Sequence, residues 1–243
     1  YTTLFRSVVY DAKNDVYTQL TQIEQARLEG ARAIILCPTS PTEITDSLAA
    51  LEAANIPLVW ATLVDDQYGA KLDSDNYAIG QRIGQLAAEI FNAERGGEGS
   101  YITIDRGDFA ATQLRLQGMI DVLSAAAPNV VNSGRFSAEG RELLDAAEAD
   151  VGALIAAGQL PDAILCVSDS CAYGATNALT NANIPTNQVF IVSAGAEPFT
   201  LDLLRTDSYL RGSVAVDRRV SAQLMVYGAI AMLAGDPVPE LLR

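Results

Sequence analysis

The chain has 243 residues, of which 49% are hydrophobic, with a formal net charge of −14 and no histidine. That is enough apolar material for one large domain or two smaller lobes. The acidic surface would repel phosphate, which excludes nucleic acid as a partner of this segment; the missing histidine excludes Ser/His/Asp and Cys/His nucleophiles and histidine metal sites.

The chain opens on Tyr1 rather than Met, with YTTLFRS. The codons TAC ACG ACG CTC TTC CGA TCT encode that string, which resembles a sequencing-library adapter. Residues 1–7 are therefore read as a remnant outside the fold, with the natural N-terminus and any export signal missing. Strand-like apolar runs follow at 8–10, 33–36, 57–61, 101–104, 129–131, 163–167, 189–192 and 210–215. All are far shorter than the roughly 20 residues of a membrane helix, so a soluble globular protein is expected. Helix-period segments lie between most of them. The first sets Val16, Leu20 and Ile23 on one face after Asp15 as N-cap and ends at Gly30. The second sets Ile44, Leu48 and Leu51 on one face, behind a capping box of Ser40 and Glu43 with Pro41 at the first helical position, where its missing N–H costs nothing.

Strands without polar alternation, separated by amphipathic helices, imply an α/β, doubly wound class with parallel sheets buried on both faces. Ligands of such sheets sit outside the carboxyl ends of the strands. The segments to carry chemistry are then the loops 37–40, 62–76, 105–111, 134–136, 168–171 and 194–198. Cys37, Cys166 and Cys171 have no CxxC spacing and leave at least one thiol unpaired, so neither a disulfide framework nor a zinc site is expected, and all three read as small buried hydrophobes. There is no P-loop, no G-x-G-x-x-G and no carboxylate pair with an evident base, nucleophile or metal. The chain is expected to be no enzyme and to carry no cofactor.

"DAKND" before a Gln-rich helix, "EGARAIILCPTSP", "ANIPLVW", "SDNYAIG", "RLQG", "AILCVSDSCAYGA" and the closing "GDPVP", in that order, are together similar to the type I periplasmic binding proteins of the ribose and galactose kind. The resemblance implies two α/β lobes joined by three crossing segments and closing on a small solute. The N-terminal lobe would be 8–74 plus 217–243, lacking its first strand and helix, and the C-terminal lobe 75–216. Asp75, Asn76, Val216 and Asp217 would lie at the hinge. The same lobes serve as effector-sensing domains of lactose-repressor-type regulators, which is the alternative reading. The "GGEGSYITI" entry into the second lobe and the "LLRTDSYLRGSVAVD" to "LAGDPVP" ending favour the exported receptor: a periplasmic or extracellular monomer that delivers a sugar or sugar-like solute to an ABC transporter permease or a chemoreceptor.

The resemblance also implies site residues. Arg115, in "RLQG", stands where the family reaches the ligand's oxygens, and a guanidinium fork can donate to two hydroxyls or a carboxylate at once. Ser74 resembles a contact residue, while Asp75 and Asn76 read equally as helix caps and hinge bonds. Phe136 matches a stacking position; Phe109 and Trp60 are further aromatics for a sugar face, Trp60 reading equally as core. Cys37, Thr62, Ser168, Gly195 and Val216 stand where the sugar receptors carry Asn, Asp, Asn, Asp and Gln. Losing five polar groups implies a ligand less hydroxylated than ribose, or one held mainly by Arg115 and the missing N-terminal loop; the candidates, with one apolar face to stack and one oxygen-rich edge for the guanidinium, are a sugar derivative, a deoxy sugar or a cyclitol. Cys37 is then a small wall residue, not a nucleophile. Glu197 and Asp169 remain as nearby acids, with Asp169 expected as a cap.

Overall fold

The computed structural model describes residues 6–40 and 42–243, and the chain divides into two units: residues up to Leu72 together with Arg219–Arg243, and Asp73–Arg218. In the first unit Asp15 caps α1 (Val16–Leu28) as its sequence predicts, its carboxylate accepting from Thr18 N at 2.6 Å. The turn into β1 (Ile34–Leu36) runs through Gly30. The chain then passes through α2 (Thr45–Ala53), β2 (Leu58–Trp60) and β3 (Ala70–Leu72). The predicted capping box is not formed. Helix α2 starts several residues later, at Ile44 with no side-chain cap, while Ser40 Oγ lies 3.4 Å from Thr42 Oγ1. Pro41 lies outside the described residues, as does most of the adapter-like segment. Residues 8–10, expected as a strand, join no strand ladder among the described residues, and Val9 is 90% exposed. Three residues gain too little from propensity to stay extended without a ladder and a buried face. Conversely, β3 falls inside the segment 62–76 expected as a loop, because Ala70, Lys71 and Leu72 acquire a strand partner on each side.

The second unit begins with α3 (Asn76–Glu94) and continues through β4 (Glu98–Asp105), α4 (Ala110–Ala126), β5 (Asn129–Ser137), α5 (Leu143–Ala156), β6 (Ala163–Cys166), α6 (Asp169–Asn181), β7 (Phe190–Gly195), α7 (Pro198–Leu204) and β8 (Leu210–Ala215). Its sheet order is β5-β4-β6-β7-β8, with every described pair parallel. Order reverses at β4, whose neighbours are the next strand and the one after it. That is the switch point of a doubly wound sheet. Strand β5 runs six residues beyond its predicted end, to Ser137 rather than residue 131. Gly134 to Phe136, expected as a loop, are strand because β5 is an edge whose outer side tolerates polar residues, and a register shift opposite Tyr101/Ile102 takes up Ser133.

Helix α8 (Arg218–Ala234) leads back to the first unit, and β9 (Leu241–Leu242) closes its sheet in the order β1-β2-β3-β9, again parallel. Alternate residues of β2 explain its unbroken hydrophobicity. Leu58 and Trp60 join a cluster with Ile23, Ile44, Leu48 and Leu51, while Val59 joins Ala70, Leu72, Ala229 and Leu242 on the other face. The helix faces read from the sequence are the buried ones. The second unit has a single, larger core built from all of α3, β4, α4, β6, α6 and β7.

Within that core α3 and α4 touch backbone to backbone. A Cβ on Gly80 would sit 2.0 Å from the Arg115 carbonyl oxygen, and one on Gly118 2.3 Å from that of Tyr77. Only glycine permits this approach, and it brings Arg115 on α4 against the first residue of α3.

Candidate ligand-binding site

Arg115 is half-buried at the carboxyl-end side of the second unit's sheet, beside the β4/β6 switch point. Its Nε donates to Asn76 Oδ1 at 2.8 Å and its Nη1 to the carbonyl of Val167 at 2.8 Å. Asn76 is itself buried at the start of α3, so it orients the guanidinium and is not a cap. The cap is Asp75, which adopts φ 50° and accepts from Ala78 N at 3.2 Å. Two bonds leave the Nη2 end of the fork, among the described residues, for another acceptor. Burial first, then repulsion from Arg218, lower the Arg115 pKa, with Asp169 acting the other way; starting from an arginine's value, the group stays charged.

Asp169 overturns its expected role. Ser168 is the N-cap of α6 and Asp169 the first helical residue, only 2% exposed. Its carboxylate accepts from Ser193 Oγ at 2.5 Å, Thr200 Oγ1 at 2.6 Å, Ser213 Oγ at 2.7 Å and Glu197 N at 2.8 Å. A carboxylate with four donors at a helix N-terminus is fully satisfied. It ties α6 to β7, β8 and α7 and has no capacity left for a solute. Gly195, at φ 142°, is glycine because a Cβ there would stand 2.7 Å from Asp169 Oδ2. Glu197 is likewise engaged, in an ion pair with Arg218.

Further along the same edge, Phe109 is the N-cap residue of α4 and half-buried, with the Arg106 guanidinium 4.7 Å from its ring centre. Arg106 is held in a fork by Asp108 at 2.8 and 2.6 Å. Phe136, near the end of β5, is partly buried against the core. Beside it Arg135 forks onto Asp105 at 2.7 and 3.0 Å, and Asp105 is 0% exposed. Ser168 is partly exposed, as is Ser74 before α3; Val216 packs on the core and Asp217 is exposed after β8.

Cys166 and Cys171 form a disulfide, against the sequence expectation of three unpaired cysteines. Their spacing carries no CxxC signal, but the strand-to-helix turn folds back on itself and sets their Cα atoms 5.6 Å apart, within disulfide reach.

In the first unit, Cys37 and Thr62 occupy the loops after β1 and β2. Cys37 is a free thiol whose residue is exposed by surface area rather than buried, since its strand ends at Leu36, yet enough protein packs around the sulfur to desolvate it and push its pKa up. The buried amide of Gln19 holds that loop, donating to Cys37 O at 2.9 Å and accepting from Thr39 N at 2.9 Å. Trp60 is a correction: it is 0% exposed, in the core, and its indole N–H donates to Tyr68 O at 2.8 Å. It presents no face to a solute. A groove of about 660 Å³ bounded by Glu52, Tyr68, Met232 and Glu240 lies at the opposite, amino-terminal edge of this sheet, away from these loops.

Residues 3–237 match the model of the periplasmic binding protein domain. The chain belongs to that family. It is 27% identical over 242 residues to the ribose import binding protein RbsB of Haemophilus influenzae, covering 96% of this chain and 77% of the relative. Among solved structures, the periplasmic component of the arabinose ABC transporter of Shewanella sp. ANA-3, bound to L-arabinofuranose, superposes with a TM-score of 0.80 at 22% identity, covering 96% of this chain and 77% of that one. The Caulobacter myo-inositol binding protein gives 0.82 at 19%, covering 97% and 80%. The periplasmic binding protein family is one of substrate-binding transport proteins, not enzymes.

Sequence reading missed three contributors to the site: Arg218, Asn76 as the partner of Arg115, and Asp169 as a buried hub. Only Asp169 left a signal, as an acidic residue directly after the serine that opens a helix, and that signal is the ordinary one for a cap.

Proposed function

We propose that this chain is an extracytoplasmic receptor for a sugar or sugar-like small solute that hands its ligand to an ABC importer, its two units acting as the receptor's two lobes with the boundaries read from the sequence, 8–74 plus 217–243 and 75–216. The observation that carries this reading is the anchored Arg115 fork. A guanidinium fixed at Nε and Nη1 and left with donors at Nη2 suits the vicinal oxygens of a sugar or cyclitol. Phe136 and Phe109 supply apolar faces for the ring, and Ser74, Thr62, Ser168 and Cys37 weaker polar or wall contacts. Gly195 and Glu197 shape the rim, Glu197 through Arg218, while Asp75, Asn76, Val216 and Asp217 lie at the hinge. Ribose, arabinofuranose and inositol, named for the relatives, fall in the same chemical class. A disulfide inside the second unit fits an oxidising compartment, and none of the relatives named above is a transcription regulator.

A thermal-shift screen of pentoses, hexoses, deoxy sugars, cyclitols, sugar acids, nucleosides and amino acids, followed by calorimetry on the hits, tests the reading. A ribose derivative, deoxy sugar or cyclitol is expected to raise the melting temperature most. Stabilisation by amino acids or nucleosides alone would refute the sugar class, and binding of ribose as tight as in a fully polar pentose site would refute the less polar pocket.

A further inference from the structure

We propose that the Cys166–Cys171 disulfide is a positioning element of the ligand-binding face, fixing the turn 167–170 so that its backbone and side chains hold Arg115 and the Glu197 loop in place. The bond joins the last residue of β6 to the first turn of α6, and both cysteines are fully buried. Almost everything it brackets is used by the site. The Val167 carbonyl accepts from Arg115 Nη1 at 2.8 Å, and the Val167 N–H is tied to Ile104 O of β4 at 3.2 Å. Ser168 is the N-cap residue, and Asp169 gathers the four donors that bind the start of α7 and the end of β8 to α6.

A crosslink across so short a segment removes few conformations from the unfolded chain, so its contribution to global stability is small. Its effect is local. A shift of the turn by a fraction of an ångström would lengthen the carbonyl bond to Arg115 and the contacts of Asp169 together, because all of them hang on neighbouring residues. The inference rests on the proposed role of Arg115 in binding, and its test is arranged to separate the two.

Thiol titration of the denatured, unreduced chain should find one free thiol, Cys37; three would overturn the proposal. A dithiol reductant then supplies two electrons and two protons: the S–S bond breaks, two thiols form and the dithiol closes to its own cyclic disulfide. Calorimetric titrations with D-ribose, L-arabinose and myo-inositol, before and after, should find the affinity for whichever sugar binds reduced by at least about fivefold, with an unchanged far-UV spectrum and recovery on reoxidation. Where the buried sulfurs resist the reductant, the Cys166→Ala/Cys171→Ala variant gives the same comparison. Unchanged affinity would overturn the proposal, and so would unfolding of the second unit, since the bond would then be a staple of the fold. If the oxidised protein binds none of the three sugars, the clamp is judged by hydrogen exchange alone. The Arg115 Nε–H and the Val167 amide, the two bonded N–H groups that hang on this turn, should then exchange about tenfold faster without the bond, and equal rates would overturn it.

Discussion

In the proposed receptor, Arg115 is a side chain ordered in advance of its ligand. Left free on a helix surface, an arginine would spend side-chain entropy to meet a ligand; here Asn76 and the Val167 carbonyl have already ordered it. A charge-assisted bond to ligand oxygen contributes about 1.5–3 kcal/mol, so Arg115→Ala should weaken sugar binding by roughly ten- to a hundredfold, read by calorimetry. Equal affinity in the variant would remove Arg115 from the site. Asp169 makes the complementary case. Replacing it with Asn keeps the shape but turns an amide NH₂ toward hydroxyl and backbone donors. Asp169→Asn should lower stability by about 1–3 kcal/mol for the donors left unpaired, seen as a lower urea midpoint; an unchanged midpoint would show that the four donors do not need both carboxylate oxygens.

At the scale of elements, the position of Arg115 depends on two helices that approach each other through glycine. In α3 and α4 the small residues are not a conformational convenience; they are the contact surface. A methyl at Gly118 would meet the backbone of Tyr77 and Gln81, which cannot rotate away as a side chain can. Gly118→Ala should therefore cost about 3 kcal/mol or more in stability, and by separating α3 from α4 it should weaken the Asn76–Arg115 bond and sugar binding with it. Normal melting and normal affinity in this variant would show that the helices can slide apart at no cost. The edge strand β5 shows the opposite logic. Its polar outer half survives because one side of the strand needs no partner, and it carries Phe136 at its end.

Across the whole chain, the two units differ in how much core each can call on. Asp73–Arg218 encloses one continuous cluster of aliphatic and aromatic residues, whereas the described residues of the other unit divide a shorter sheet between two small clusters. Burial of apolar surface sets the scale of stability. Amides of β4, β6 and β7 should accordingly be the slowest to exchange, and those of β1, β2 and β9 should open first under mild denaturant. A single cooperative transition with equal protection in both units would contradict this ordering. No described helix is long and apolar enough to cross a membrane, and the chain carries a formal net charge of −14 with sixteen cationic residues, a balance that repels polyanions.

The periodicity of the sequence was sufficient for the α/β class, for α1 with its Asp15 cap, and for the buried face Ile44, Leu48 and Leu51, because these depend on residues within one or two turns of each other. It was not sufficient for the start of α2, for β3, or for the length of β5, where the decision lies with a neighbouring strand or with packing rather than with local preference. The same division runs through the site. The motif around Arg115 is local and was readable, yet what holds Arg115 comes from positions 76 and 167, and what surrounds Asp169 comes from 193, 197, 200 and 213. Trp60 could equally have been wall or core until the sheet closed over it, and Cys166 and Cys171 could not announce their bond until the turn between them folded back. Hydrogen bonds and disulfides are made across distances in space, and only the tertiary structure brings together groups that the linear order keeps apart.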